Sequence, residues 1–335
     1  MLRAMEDDMF VFATRRLAGA MWATAAVAAL AAPLGAVAQT YPTRPVQVIV
    51  PYPPGGLTDG IVRQVAQGLT EKWKTTVFIE NKGGGGTTIG TAYVARAAAD
   101  GQTLLFTSTG YVTNQVLMKS LPYSADAFTP IAMGATAPNV LYVHPSVPAT
   151  NLAELLTYAR ANPGALKFAS TGHGSSPHLT AELFASKTGI SMVHVPYKGA
   201  GPALADLLAG HVNAMFHFPA SLALAKEGKL KAIAVASADK LKEAPGLPTF
   251  IDSGVPDVVS SSWFGFFAPA ATPQPVKDKL HKDIADVLAS ARLRAFMEES
   301  GLTETPMTRA EFATFITNEQ DKWATVIRER KIPIE

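Results

Sequence analysis

The chain has 335 residues, a formal net charge of +2, 48% hydrophobic and 17% charged residues, and no cysteine. Near-neutrality argues against a nucleic-acid binder, which needs a basic face, and the apolar content excludes a disordered chain. Without cysteine there is neither thiol catalysis nor a thiolate metal site. The length exceeds that of an ordinary single domain, so two packed lobes are expected.

Arg15 and Arg16 precede an uncharged run over 17–34, which ends in Ala36-Val37-Ala38, a small-x-small cleavage pattern. Residues 1–38 read as a signal peptide cleaved before Gln39, which places the mature protein in the periplasm. An uncleaved anchor and a twin-arginine route are the alternatives. Glu6, Asp7 and Asp8 are unusual in such a leader, so Met9 is a second candidate start. An exported chain without disulfides must rely on its core, and about 300 residues suffice for that.

From there strand and helix patterns alternate. Strands are expected over 46–50, 77–80 and 103–108, with helices over 57–73, where Ile61, Val65 and Leu69 share a stripe, and over 89–99. This βαβαβ order specifies a parallel sheet covered by helices. An extended stretch over 131–143 then crosses to a second alternating unit. It contains helices over 152–161, 179–188 and 203–209 and strands over 167–170, 192–195, 213–218 and 231–237. Asn151 and Glu154 cap the first of these helices. The run over 263–267 crosses back, and the tail from 275 reads as two or three helices. The expected fold is α/β, two lobes joined by two crossing strands with a ligand cleft between them. Lobe 1 is 39–142 with 263–335, and lobe 2 is 143–262.

Five strand-to-helix junctions are rich in glycine and hydroxyl residues: Pro53-Pro54-Gly55-Gly56 before Asp59, Gly83 to Gly86, Thr107-Ser108-Thr109-Gly110, Ser170-Thr171-Gly172 through Ser175, and Tyr197 through Gly201. Such a junction leaves backbone N–H groups pointing at one spot, where an anion can sit. Turn chemistry alone explains any single loop; five at corresponding strand ends favour a shared anion site. Neither G-x-G-x-x-G nor a P-loop pattern occurs, and no nucleotide or other cofactor is expected. Ser175 with His173 or His178 would be the nucleophile and base of a secreted serine hydrolase, but G-x-S-x-G is missing. The histidines lack metal-ligand spacing, so no metal and no catalytic residue is expected. Asp59, in a first helical turn, either caps its helix or fixes its loop, and Asp206 either pairs locally or accepts from a ligand.

The blocks VPYPPGGLTD, IENKGGGGTTIG, ASTGHGSSPHLTAELF and HVPYKGAGPALADLLAG, in this order and spacing, closely resemble the Bug (Bordetella uptake gene) family, the substrate-binding receptors of tripartite tricarboxylate transporters. The resemblance implies a type II periplasmic-binding-protein fold and a non-enzymatic receptor that closes on a small carboxylate and delivers it to membrane permease subunits. A monomer is expected, and an input protein for a membrane kinase would use the same cleft. The ligand residues carried over are Tyr52, Pro54, Gly55, Gly56, Asp59, Thr107, Ser108, Thr109, Ser170, Thr171, Gly172, Ser175, Tyr197 and Asp206. Two departures stand out. Lys82-Gly83-Gly84-Gly85 replaces a common Arg-Pro-Gly-Ala and implies a more flexible loop. His217 and Phe218 replace small acidic or polar residues, which adds His217 to the site as a donor to a carboxylate and favours an aromatic or anionic ligand.

Overall fold

A computed structural model describes residues 41–334; Tyr41–Thr43 belong to an N-terminal unit and the body begins at Arg44. The expected leader over 1–38 lies outside the described residues. In chain order the body opens with β1 (Val46–Val50), α1 (Leu57–Trp73), β2 (Val77–Asn81), α2 (Thr88–Ala95), β3 (Thr103–Ser108), α3 (Gly110–Leu117) and β4 (Phe128–Pro138). It continues with β5 (Val140–Val143), α4 (Leu152–Ala161), β6 (Leu166–Ser170), α5 (Ser176–Thr188), β7 (Met192–Pro196), α6 (Ala200–Ala209), β8 (Ala214–His217), α7 (Leu222–Lys226) and β9 (Lys231–Val235). It returns through β10 (Ser261–Pro269), α8 (Gln274–Leu288), α9 (Ala291–Glu299) and α10 (Arg309–Glu329).

These strands form two sheets, ordered β2-β1-β3-β10-β4 and β7-β6-β8-β5-β9. β1 pairs in parallel with both β2 and β3, and β6 with both β7 and β8, whereas β10 and β5 run antiparallel to their neighbours. Strand β1 reads VQVIV because helices cover both faces of a parallel sheet, and four of its five residues are buried. The parallel arrangement positions the site. The helices that follow β1, β2 and β3 all start at one edge of the first sheet, and those that follow β6 and β7 start at one edge of the second.

Each sheet has its own aromatic core. Trp263, Phe267, Phe312 and Trp323 are fully buried in the first, and Phe168, Phe184, Phe216 and Phe250 fill the second. Gly265 lets α10 press onto β10, since a Cβ there would lie 2.4 Å from the Phe312 ring.

Both crossings meet at Asn139. Its N–H donates to Ser260 O (3.2 Å), its carbonyl accepts from Ala236 N (2.8 Å), and Ser260 N donates back to Ala236 O (2.8 Å). Its side-chain amide donates to Ser176 Oγ (2.9 Å) and Thr180 Oγ1 (3.1 Å), and Thr180 Oγ1 lies 2.7 Å from Ser260 Oγ. This knot divides the single extended stretch expected over 131–143 into β4 and β5. Val140–Val143 pairs with β8 and β9 in the second sheet, and Ser261 and Ser262 pair with Pro138 and Ala137 in the first. The lobes also touch beside the crossings. Thr113 Oγ1 donates to Gly174 O (3.0 Å), Leu179 and Leu183 of α5 join Val326 and Ile327 of α10 in one apolar cluster, and Arg330 pairs with Glu182 at 2.9 Å.

Several elements differ from their expected forms: α6 begins at Ala200, ahead of the expected 203, and α7 was not expected. The helix expected over 89–99 stops at Ala95, because Arg96 and Ala97 donate to Tyr93 and Val94 in a tightened last turn. α5 begins at Ser176, ahead of the expected 179, with Pro177 in its first turn. α3, expected only as a strand-to-helix junction at Gly110 with no end assigned, is a helix of eight residues. Replacing Asn139 by Ala should cost about 1–3 kcal/mol by stranding buried hydroxyls, seen as a lower urea midpoint at unchanged slope. An unchanged midpoint would show that the Asn139 side chain contributes nothing to the knot.

Candidate ligand-binding site

The turn after β1 is built around a carboxylate. Asp59 Oδ2 accepts from Gly55 N (3.1 Å) and Arg63 Nε (2.8 Å), while Oδ1 accepts from Asn81 Nδ2 (3.0 Å), which also donates to Tyr52 O (3.2 Å). Burial pushes the Asp59 carboxyl up, but the bonds from Arg63, Gly55 and Asn81 outweigh it and hold the group below its ordinary value. Asp59 thus fixes the loop. Gly55 has φ +85°, a conformation that favours glycine, and no atom lies within 4 Å of a Cβ built on Gly55 or Gly56. The turn that includes Pro54 therefore stands open.

Beside it, burial raises the Tyr52 phenol to about 12, while the Thr107 hydroxyl and the Ser108 backbone pull it back. Thr107, Ser108 and Thr109 are buried, and Thr109 Oγ1 has no hydrogen-bond partner among the described residues. The glycine loop after β2 is pinned, which corrects the expectation of flexibility. Gly84, Gly85, Gly86 and Thr87 all have positive φ, and Asn114 Nδ2 of α3 donates to Gly86 O (2.7 Å) and Thr87 Oγ1 (3.1 Å). A β-branched residue at φ +86° is strained, and the tertiary bonds from Asn114 hold it there.

In the second lobe, Ser170 Oγ donates to Gly172 O (3.1 Å), accepts from Gly172 N (3.2 Å) and lies 2.7 Å from His194 Nε2. Ser175 Oγ donates to Gly172 O (2.7 Å), and His178 Nδ1 accepts from Gly174 N (3.1 Å). Thr171 and Gly172 lie between these tethers. His178 and His194 stack with ring centroids 3.9 Å apart and Phe168 closes the pile 4.8 Å from His194. Burial, reinforced by neighbouring imidazoles, lowers His178 to about 2 and His194 to about 4, so both rings are neutral. Tyr197 OH donates to Asp206 Oδ2 (2.6 Å), and Asp206 Oδ1 lies 3.2 Å from His211 Nδ1. Asp206 therefore backs Tyr197 with both oxygens engaged. His217 ends β8 with Nδ1 2.8 Å from Ser221 Oγ; its Nε2 is buried without a partner among the described residues, and burial lowers the ring to about 4.

The helix starts differ in capping, and α7 and α8, from Ser221 and Pro273, have no side-chain cap. α4, α9 and α10 are capped by the side chains of Asn151, Ser290 and Thr308, the last in a capping box. In α4, Glu154 turns to Thr150 and leaves the capping to Asn151. α1, α2, α3, α5 and α6 start at the sheet edges from Gly56, Thr87, Thr109, Ser175 and Gly199, and none has a side-chain cap. Apart from Thr88 N, which donates to Gly85 O, and Val112 N, which donates to Thr109 O, their first-turn N–H groups are left for another acceptor. Sequence reading found these loops but missed the fastening groups Asn81, Asn114, His194 and His211; only the i, i+5 spacing of Asp206 and His211 was available to show any of them.

The hydrolase alternative with His178 as base fails on geometry. The Ser175 proton goes to a carbonyl, and His178 is a buried acceptor of a backbone amide, so neither forms a nucleophile–base pair. Stacked imidazoles do not converge on a cation, and no three His, Asp or Glu residues among those described are placed to hold a metal.

The fold and site define a two-lobed solute-binding receptor. Residues 61–332 match the model of the tripartite tricarboxylate transporter family receptor. The chain is 38% identical to protein BugT of Bordetella pertussis over 308 residues, 91% of this chain and 94% of that protein. It superposes on R. palustris Rpa4515 with adipate at TM-score 0.82 and 32% identity, covering 88% of this chain and 99% of that one. MatC from Rhodopseudomonas palustris with bound malate gives TM-score 0.78 and 30% identity over 86% of this chain and all of that one. The chain belongs to the tripartite tricarboxylate transporter receptor family, and it is a receptor of the Bug type, not an enzyme.

Asp59→Asn should destabilise the protein by about 1–3 kcal/mol at pH 7 by removing charge-assisted bonds from Gly55 and Arg63. Because the folded carboxyl lies below its ordinary value, its stabilisation is complete above the unfolded value of about 4 and fades as pH falls through the folded one. Urea unfolding of both proteins from pH 7 to pH 3 should show the gap closing; a constant gap would contradict this role.

Proposed function

We propose that this chain is an exported periplasmic receptor that captures a small organic acid in the cleft between its lobes and delivers it to the permease subunits of a tripartite tricarboxylate transporter. The observation that carries this reading is the gathering of uncapped helix starts at the two sheet edges. Five helices that follow strands there have no side-chain cap, whereas α4, α9 and α10 are capped, although α8 is uncapped as well. Open first turns favour an anion. The buried Thr109 hydroxyl and His217 Nε2 add two unpartnered groups in the same regions. Adipate and malate in related structures supply the chemical class.

On this reading the turn of Tyr52, Pro54, Gly55 and Gly56 with Thr107, Ser108 and Thr109 forms one wall of the cleft. Ser170, Thr171, Gly172, Ser175, Tyr197 and His217 form the other, while Asp59 and Asp206 hold the walls in shape. Among the described residues no helix is long and apolar enough to cross a membrane, which is compatible with release after export.

The test is thermal unfolding of refolded, ligand-free protein against a panel of carboxylates that includes adipate and malate. A true ligand at a hundred times its Kd adds about 2.7 kcal/mol and should emerge chemically unchanged. Stabilisation by no carboxylate, or turnover of one that binds, would sink the proposal. Native mass spectrometry of protein purified without refolding should show a bound organic acid.

A further inference from the structure

His217 is held by more than its own strand. Its Nδ1 lies 2.8 Å from Ser221 Oγ, a contact that a hydroxyl sustains whichever ring nitrogen carries the proton. The ring orientation therefore follows the tight turn over Pro219–Ser221 that carries this partner. In its own lobe the turn is tied at its entrance, where Tyr142 OH donates to Phe218 O (3.1 Å) and Ser221 N donates to the same carbonyl (3.1 Å).

The first lobe supports the turn from outside. Gly301 follows α9, which packs on α1 by setting Phe296 against Gly60 and by donating from Arg292 to Gln64 O (3.0 Å). Two residues on, Thr303 exchanges backbone bonds with Thr136 of β4. A Cβ on Gly301 would lie 2.7 Å from Pro219 Cβ, 3.1 Å from Ala220 N and 3.3 Å from Pro219 C. A proline ring and backbone atoms cannot swing aside as a long side chain would, so the two chains are in direct and tight contact. Ahead of the turn the Phe218 ring meets Phe264 edge-on with centroids 6.2 Å apart, and Phe264 lies in β10 opposite Ser108.

Gly301 also ends α9. With φ +63° it donates to Glu298 O (3.1 Å) while Leu302 N donates to Met297 O (2.8 Å), the two bonds of a Schellman cap. The cap accounts for a left-handed glycine but not for the close approach. Gly189 ends α5 at φ +69° and has nothing within 4 Å of a Cβ. The two glycines therefore separate the effect of the cap from that of the contact.

We infer that Gly301, with Phe264, is a positioning residue for His217 across the lobe interface: the first lobe seats the turn that orients this ring of the second. The part played by the ligand rests on the receptor reading above. Seating and binding are then linked, because a ligand held by His217 favours the lobe arrangement that seats the turn, and that arrangement favours the ligand.

Gly301→Ala is compared with Gly189→Ala. By hydrogen exchange and mass spectrometry, the peptide over 214–224 should exchange about tenfold faster than wild type in Gly301→Ala and at the wild-type rate in Gly189→Ala. Phe264→Leu removes the ring contact without adding a Cβ; it should loosen the same peptide and decides the matter if Gly301→Ala does not fold. Calorimetric titration with the carboxylate of the panel above that stabilises wild-type protein most should give about tenfold weaker binding in the seat variants and no change in Gly189→Ala. Wild-type exchange over 214–224 in the seat variants overturns the inference. So does faster exchange with unchanged affinity, since the seat would then hold the turn without serving the ligand. If no carboxylate binds, the receptor reading fails and exchange alone decides whether the seat positions His217.

Discussion

A helix that follows a parallel strand begins at the sheet edge with backbone N–H groups that its own turns cannot satisfy. Something must accept from them: a side chain, water or a ligand. In this protein the requirement is met in two ways. Asn151, Ser290 and Thr308 close three helices with their side chains, while the helices that start from Gly56, Thr87, Thr109, Ser175 and Gly199 have no side-chain cap, nor does α8. The parallel pairing of β1 with β2 and β3, and of β6 with β7 and β8, gathers the open starts at one edge of each sheet. The rest of the architecture serves to hold two such edges and keep their loops in one shape.

Keeping that shape falls to polar groups behind the loops. Asp59 and Asn81 hold the first turn, Asn114 holds the strained Thr87, His178 and His194 hold the Ser170–Ser175 segment, and Asp206 holds Tyr197. Each is satisfied by protein, so none needs a ligand in order to stay put. Backbone amides aimed by such fastenings lose little further freedom on binding, and this raises affinity without any added charge. The stacked imidazoles fit the same logic. Burial keeps them neutral, so they brace the loop without competing for an anion.

Much of this was legible in the residues. Helix α1 and strands β1 and β3 fall where periodicity places them, because their burial patterns are local properties of the chain. The glycine and hydroxyl loops were identifiable because turn chemistry is local too. The fastenings were not, since Asn81 meets Asp59 across 22 positions and Asn114 meets Gly86 across 28. No spacing rule predicts which distant amide will reach a given carbonyl. The Gly83–Gly86 loop shows the cost of a composition argument. Four glycines suggest freedom, yet Asn114 and a run of left-handed residues fix the segment. Asn139 was hidden for a similar reason, being one polar residue inside an apolar stretch whose partners all lie on other elements.

Helix α10 belongs to the first lobe by packing, yet Val326, Ile327 and Arg330 meet Leu179, Leu183 and Glu182 of the second. Besides the two crossing strands and the Thr113–Gly174 bond, the lobes are therefore joined by a strap made by α10. Any change in the angle between them must slide α5 along α10, a shear between packed helices superimposed on bending at the knot. A rigid-body swing about two thin strands would have a soft, nearly isotropic pivot. With α10 packed along α5, sliding the two helices past one another would disturb fewer contacts than prising them apart, so α10 would act as a guide rail for the two halves.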